Sequence, residues 1–330
     1  MWFEELTGFV EQTPEQVRAG LSVKGDKLTS MINGRSYTFG HLETPSLDEL
    51  RARVTAHRVV AGSISVREII SDAKTLHADP QNAGALFQVA SQFNLLEMPS
   101  PHVTPERGVG VYESDRTQGP ACAMAAGAGT IFRSYFAEVD GHAGQTAQHQ
   151  IDCLQDLGLA LGNQNQRLWK MQNGYALATE SGLKEISEKI RGMTEEQRDR
   201  LRGLLRIGMQ WNTQVTLPDC RHLVNQAYCS ALPVAYSKCE DALWSEFARL
   251  VLEASYEATM CAAICNFVET GQKKVVLTLV GGGAFGNHES WMFSAMQRAI
   301  KLGSHVPLDI AIVSYRASKP GVRELIKQFE

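Results

Sequence analysis

The chain reads as an α/β protein built around a sheet that helices cover on both faces. Two segments carry that reading. Residues 275–280 are predominantly apolar, the loop Gly281-Gly282-Gly283-Ala284-Phe285-Gly286 follows, and Met292, Ala295, Met296, Ala299 and Ile300 then recur at helical spacing before a second apolar run at 308–313. Strand, glycine loop, helix and strand make a βαβ unit, and strands apolar on both sides belong in a sheet with both faces buried. Upstream, Leu243, Phe247, Leu250, Val251, Ala254, Ala258, Cys261, Ala262 and Cys265 repeat at spacings of three and four, with Gly271 just beyond. That pattern predicts a long core-facing helix closed by a glycine.

The remaining elements follow in chain order. Thr13-Pro14-Glu15-Gln16 offers a cap, a proline at the first helical position and a glutamine able to close a capping box. Asn33-Gly34 lies between strand-like segments within 28–39 and predicts a hairpin with a type I′ turn. Ser46-Leu47-Asp48-Glu49 is a second capping box, followed by Leu47, Leu50 and Val54 on one helical face. Residues 1–75 therefore form a small N-terminal α+β extension, and 76–330 the main domain. Residues 85–90 are a buried strand. The Pro- and Gly-rich stretch 91–129 reads as an extended loop of functional character. Residues from about 145 to 205 are polar and helical, with Thr194-Glu195-Glu196-Gln197 capping a run that includes Leu201, Leu204 and Leu205, and form a helical insertion. Ile207, Met209, Trp211, Val215 and Leu217 alternate as in a strand with one buried face, and another strand lies within 223–232.

Composition narrows the function classes. The 330 residues carry 32 Lys+Arg against 36 Asp+Glu, a net charge of −4, which lacks the basic excess of an electrostatic nucleic-acid binder. Hydrophobic residues at 44% and charged residues at 21% suit a packed core rather than a disordered chain. The opening residues lack the features of a secretory signal, and no apolar run approaches the roughly 18 residues of a membrane span. Seven cysteines are scattered without CxxC spacing, so no zinc or redox centre is expected and a reducing, cytoplasmic (intracellular) setting is. Neither nucleic acid nor membrane is expected as a partner.

Three segments can carry chemistry. In the Gly281–Gly286 loop, glycines let backbone N–H groups approach a phosphate or diphosphate at a helix start, although a tight strand-to-helix turn explains the same residues equally well. The loop matches neither the GxxxxGK[ST] nor the GxGxxG spacing. After the 85–90 strand, Gln92 and Asn94 place amides where they can bond sugar hydroxyls or merely shape a turn. Tyr112-Glu113-Ser114-Asp115-Arg116-Thr117-Gln118-Gly119-Pro120 concentrates two carboxylates, a guanidinium and an amide, as a solvated loop also would.

Together, Ala90-Ser91-Gln92-Phe93-Asn94, the Gly281–Gly286 loop and the terminal strand ending in Val313-Ser314-Tyr315 resemble the macrodomain superfamily, which binds ADP-ribose, over roughly residues 80–320. More narrowly, QVASQFNLLEMPSP, YESDRTQGPACA, YCSALPVAYS and VVLTLVGGGAFGNHE are similar to the arginine-specific macrodomain ADP-ribosylhydrolases, the MavL-like group. The resemblance implies a three-layer α/β/α fold with a mixed sheet. It also implies hydrolysis of the N-glycosidic bond between ADP-ribose and arginine on modified proteins, ADP-ribosylated ubiquitin among the candidates. On that reading Asp115 is the first choice of catalytic carboxylate, with Glu113 and Glu106 as alternatives, since an acidic group beside the anomeric carbon stabilises an oxocarbenium-like transition state and activates water. The diphosphate falls to Gly281, Gly282, Gly283, Ala284, Phe285, Gly286 and Asn287, the distal ribose to Asn94 with Gln92 beside it, and adenine to Tyr315; Glu97 bonds ribose or helps catalysis, and Gln118 and Gly119 border the reacting sugar. No cofactor or metal is implied; ADP-ribose is the ligand or product. The chain departs from the usual pattern after Asn94, where Leu95-Leu96-Glu97-Met98-Pro99 replaces a glycine run. A non-catalytic ADP-ribose reader and a protein scaffold with a vestigial site are the competing classes.

Overall fold

The computed structural model describes residues 1–57 and 61–330. A seven-stranded sheet runs through the main body, its strands numbered here in chain order: β1 (His41–Glu43), β2 (Ser65–Ile70), β3 (Leu86–Ala90), β4 (Gly208–Gln214), β5 (Leu223–Cys229), β6 (Lys274–Leu277) and β7 (Asp309–Ser314). The spatial order is β1-β4-β5-β3-β6-β7-β2. β5, β3, β6, β7 and β2 are parallel, while β4 is antiparallel to both its neighbours, so the sheet is mixed as expected. Residues 1–75 supply both edge strands, β1 and β2, in addition to a small three-stranded sheet of Leu21–Lys24, Lys27–Ser30 and Ser36–Thr38.

Consecutive side chains on one strand point to opposite faces, and β5 shows that both faces are covered. Asn225 bonds Asn266 of the helix Asp241–Thr270 on one side, whereas Gln226 bonds His77 and the Cys122 carbonyl of the helix Gln118–Ala125 on the other. The three-layer α/β/α arrangement is thus present. The 30-residue helix Asp241–Thr270 ends at Gly271, whose φ of +78° lets its N–H reach the Phe267 carbonyl at 2.8 Å. It packs along Glu289–Leu302 and against Leu47–Ala56 and Glu180–Arg191. Among the described residues no helix is long and apolar enough to cross a membrane.

Several expectations hold in detail. Thr13 caps Pro14–Gly20, and the Ser46–Glu49 and Thr194–Gln197 capping boxes are both formed. Others change. The Asn33-Gly34 hairpin exists, but its strands are joined by residues 31–35 and only Gly34 of the pair has positive φ, so the turn is not type I′. The stretch 91–129 is not all loop: Gln118–Ala125 and Gly127–Tyr135 are helices. Pro120 sits in the first turn, where its missing N–H costs no helical bond, and the alanines that follow favour the helix. The insertion is helical at Gln155–Leu161, Glu180–Arg191 and Glu195–Gly203, yet it also holds a hairpin, Trp169–Gln172 with Tyr175–Ala178. There Asn173 and Gly174 both take positive φ, as a type I′ turn requires.

Four of the covering helices are tied by charge. Glu257, 7% exposed on the long helix, accepts from Arg51 at 2.6 Å and also pairs with Arg298, and both arginines reach Asp199 as well. Removing the shared carboxylate leaves the two half-buried guanidiniums sharing the more exposed Asp199. Glu257→Ala is therefore expected to lower unfolding stability by about 3 kcal/mol, read as a lower urea midpoint; an unchanged midpoint would show that the pairing adds nothing.

Candidate functional site

Five strands run parallel, and their carboxyl ends open together onto a cleft of about 610 Å³. That position follows from topology, because the loops leaving parallel strands all gather at one edge of the sheet. Behind β3 come Ala90, Ser91, Gln92 and Glu97 to Pro99; behind β6 the glycine loop; behind β7 Val313 and Tyr315; behind β2 Ser71 to Lys74. Glu113 and Asp115 to Gly119 close one side, and Tyr175 and Tyr236 another.

The most buried carboxyl lining the cleft is that of Glu97, 7% exposed. Its Oε1 is buried with no hydrogen-bond partner among the described residues. Burial pushes its carboxyl well above the usual carboxylate range; the Arg133 guanidinium opposes that shift and the Asp115 charge adds to it. Three neighbours fix its position. The Tyr112 hydroxyl accepts the Glu97 N–H at 2.9 Å, and Gln92 clamps the next residue by accepting the Met98 N–H at 2.9 Å and donating to the Met98 carbonyl at 3.3 Å. Gly119 packs directly over the carboxyl, since a Cβ there would stand 2.5 Å from Glu97 Oε2 and 2.4 Å from the Ala90 carbonyl. The cleft therefore holds at its floor a carboxyl that burial biases toward its protonated form, with Asp115 near enough for its charge to be felt.

The glycine loop forms the facing wall. Gly282 N–H bonds Leu279 O and Gly286 N–H bonds Gly283 O, but the N–H groups of Gly283, Ala284 and Phe285 meet no acceptor among the described residues. Phe285 packs between Tyr175 and Tyr236, with ring centroids 5.3 and 5.7 Å away. Asn287 is buried and works from behind, donating to the Leu232 carbonyl at 2.8 Å while its own N–H closes the loop onto Gly281 O. At the far end Tyr315 is 59% exposed. Its loop is anchored by Glu68 of β2, which accepts from Ser314, Ser318 and the Lys319 N–H.

The structure thus brings Gln92, Glu97, Glu113, Asp115, Gln118, Gly119, Gly281, Gly283, Ala284, Phe285 and Tyr315 to one cleft, and leaves out Asn94, Glu106, Gly282, Gly286 and Asn287. Asn94 is fully buried behind the wall: Leu95 takes φ +64°, which turns Asn94 back to accept the Leu96 N–H and to donate to Gln150. Glu106 accepts the Ala147 N–H at 2.8 Å and ties the loop to the insertion. Gln92 lines the cleft with its amide already engaged, which makes it a brace. Tyr175, Tyr236 and the helix start at Ser71–Lys74 escaped the sequence reading, although Asn173-Gly174 between alternating apolar residues was a signal for the hairpin that carries Tyr175.

The chain matches no family model and no curated protein. Solved structures similar to it include the poly(ADP-ribose) glycohydrolase from Thermomonospora curvata, at 11% identity over 96% of both chains and a TM-score of 0.48. Another is the poly(ADP-ribose) glycohydrolase from Deinococcus radiodurans in complex with ADP-ribose, at 13% identity over 88% of this chain and 95% of that one, with a TM-score of 0.45. The narrower resemblance to the arginine-specific hydrolases is corrected on this finding: the similar structures are poly(ADP-ribose) glycohydrolases, and assignment to the arginine-specific group does not stand.

A raised carboxyl has a consequence for stability. Above its ordinary value of 4.5, Glu97 ionises in the unfolded chain but stays protonated in the fold, so its contribution to stability falls as pH rises. Glu97→Gln cannot ionise and escapes that loss. The melting temperature of the variant relative to the wild type is expected to be more favourable at pH 8 than at pH 4; a difference that stays flat or moves the other way would contradict the raised carboxyl.

Proposed function

We propose that the protein hydrolyses a glycosidic bond at the distal ribose of a bound ADP-ribosyl group, with Glu97 as the general acid. The observation that carries this reading is a buried carboxyl, its pKa raised by burial and its Oε1 without a hydrogen-bond partner among the described residues, on the floor of the same cleft as a loop in which three N–H groups meet no acceptor among those residues. The N–H groups of Gly283, Ala284 and Phe285 suit a diphosphate, since successive backbone donors bind anions without needing a counter-charge. Tyr315, exposed at the other end, offers a ring face for adenine. Asp115, Gln118 and Gly119 border the sugar.

A neutral acid is what departure of the aglycone needs. As the bond from C1 to the leaving atom lengthens, Glu97 gives that atom its proton, and positive charge spreads over C1 and the ring oxygen. Asp115 faces the charge that develops and receives a proton from the water that adds to C1. The products are ADP-ribose and the protonated aglycone, and proton return from Asp115 to Glu97 restores the resting site. Sequence reasoning gave Asp115 the task of stabilising the developing charge and activating water, and left Glu97 open between ribose contact and catalysis; burial favours Glu97 as the proton donor, because, of the two, only Glu97 is withdrawn from solvent.

The test is release of ADP-ribose from poly(ADP-ribose) and from serine-, glutamate- and arginine-linked proteins, alongside calorimetric binding of free ADP-ribose. Wild type should cleave at least one linkage. Glu97→Gln should lose about 10²- to 10⁴-fold in turnover, the usual contribution of a general acid, with ADP-ribose affinity within a few-fold. Binding without cleavage of any linkage would make the protein a reader, and full activity in Glu97→Gln would remove Glu97 from the chemistry.

A further inference from the structure

The turn that carries Glu113 and Asp115 to the cleft, and Tyr112 behind it, is gripped from outside by a carboxylate far away in sequence. Glu11, in the arm between the first two helices, Trp2–Thr7 and Pro14–Gly20, accepts the Val109 N–H at 2.9 Å, the Gly110 N–H at 2.6 Å and the Tyr135 hydroxyl at 2.6 Å. Two consecutive backbone donors closing on one carboxylate form an anion-binding nest, and hydrogen bonds to a charged acceptor are the stronger kind. The turn is shaped for this guest. Gly108 takes φ +91°, and a Cβ on Gly108 or Gly110 would stand 2.5 or 2.7 Å from Glu11 Oε2. Glu11 does not line the cleft.

We propose that Glu11 is a positioning residue for the cleft carboxylates, which makes the N-terminal arm part of the active-site scaffold; this rests on the hydrolytic reading above. The 3₁₀ turn Val109–Ser114 starts at the two N–H groups that Glu11 holds. Within it Tyr112, 1% exposed, accepts the N–H of Glu97, and at its end Asp115 N–H bonds Tyr112 O while Asp115 Oδ1 caps the Thr117 N–H at 2.8 Å. One carboxylate thereby fixes the turn from which both Glu97 and Asp115 take their places.

The experiment uses the full chain and two variants. Glu11→Gln keeps the shape but turns an NH₂ group toward one set of donors, so at least one of the three bonds is lost; Glu11→Asp keeps the charge with a shorter reach. Amide hydrogen exchange is expected to accelerate at residues 109–117 and at Glu97 in Glu11→Gln, with the rest of the chain unchanged and Glu11→Asp in between. On the substrate that wild type cleaves, kcat should fall by about 10- to 100-fold, as small misplacement of reacting groups does, with KM within a few-fold. Unchanged exchange at 109–117, acceleration spread over the whole chain, or local loosening with kcat intact would each overturn the positioning role. If wild type cleaves no linkage, the hydrolytic reading fails on that result alone, and the exchange pattern still decides whether Glu11 holds the turn.

Discussion

Keeping one carboxyl out of water is the constraint around which the cleft is arranged. A carboxylate is costly to bury unless it is paired, and Glu97 has no hydrogen-bonding partner for Oε1 among the described residues, so its protonated form is favoured. The charge behind it is already spoken for. Arg133, 1% exposed, lies over the Tyr228 ring at 3.7 Å and donates to Leu95 O, Gln210 Oε1 and Thr130 Oγ1. Its field reaches Glu97, but its donors do not. Gly119, Gln92 and Tyr112 then serve one purpose by different means: one clears space above the carboxyl, one clamps the following residue, and one holds the backbone N–H.

The sheet explains why these residues meet. β3 delivers Glu97 and its braces, β6 delivers the glycine loop, and β7 with β2 delivers Tyr315 and its anchor Glu68. Because these strands are parallel, their exits lie side by side, and each loop needs to travel only a few residues to reach the cleft. The fifth contribution is of another kind. Tyr175 comes from the insertion and fixes itself through a 2.8 Å bond to the Met98 carbonyl, so the insertion closes the site as well as flanking it.

Much of this was legible in the sequence, and for definite reasons. The βαβ unit, the long helix and the capping boxes are written in local periodicity and in short side-chain-to-backbone bonds, which depend on neighbours in the chain. The glycine loop was legible for the same reason. Asn94 was not, because its role turns on the left-handed conformation of Leu95 and on Gln150, more than fifty residues on. Asn33-Gly34 and Asn173-Gly174 are the same dipeptide with different outcomes, since the distance over which flanking strands pair, a tertiary property, decides the turn. The division of roles between Asp115 and Glu97 is of this type too: both are acidic residues near the cleft, and only burial separates them.

The most direct test of the account is a titration of Glu97 itself. The side-chain carboxyl resonance, assigned by its loss in Glu97→Gln, would be followed from pH 4 to 8 by ¹³C NMR in the folded protein. The account predicts a titration midpoint well above the ordinary carboxylate range. Ionisation near the ordinary value of 4.5 would contradict it.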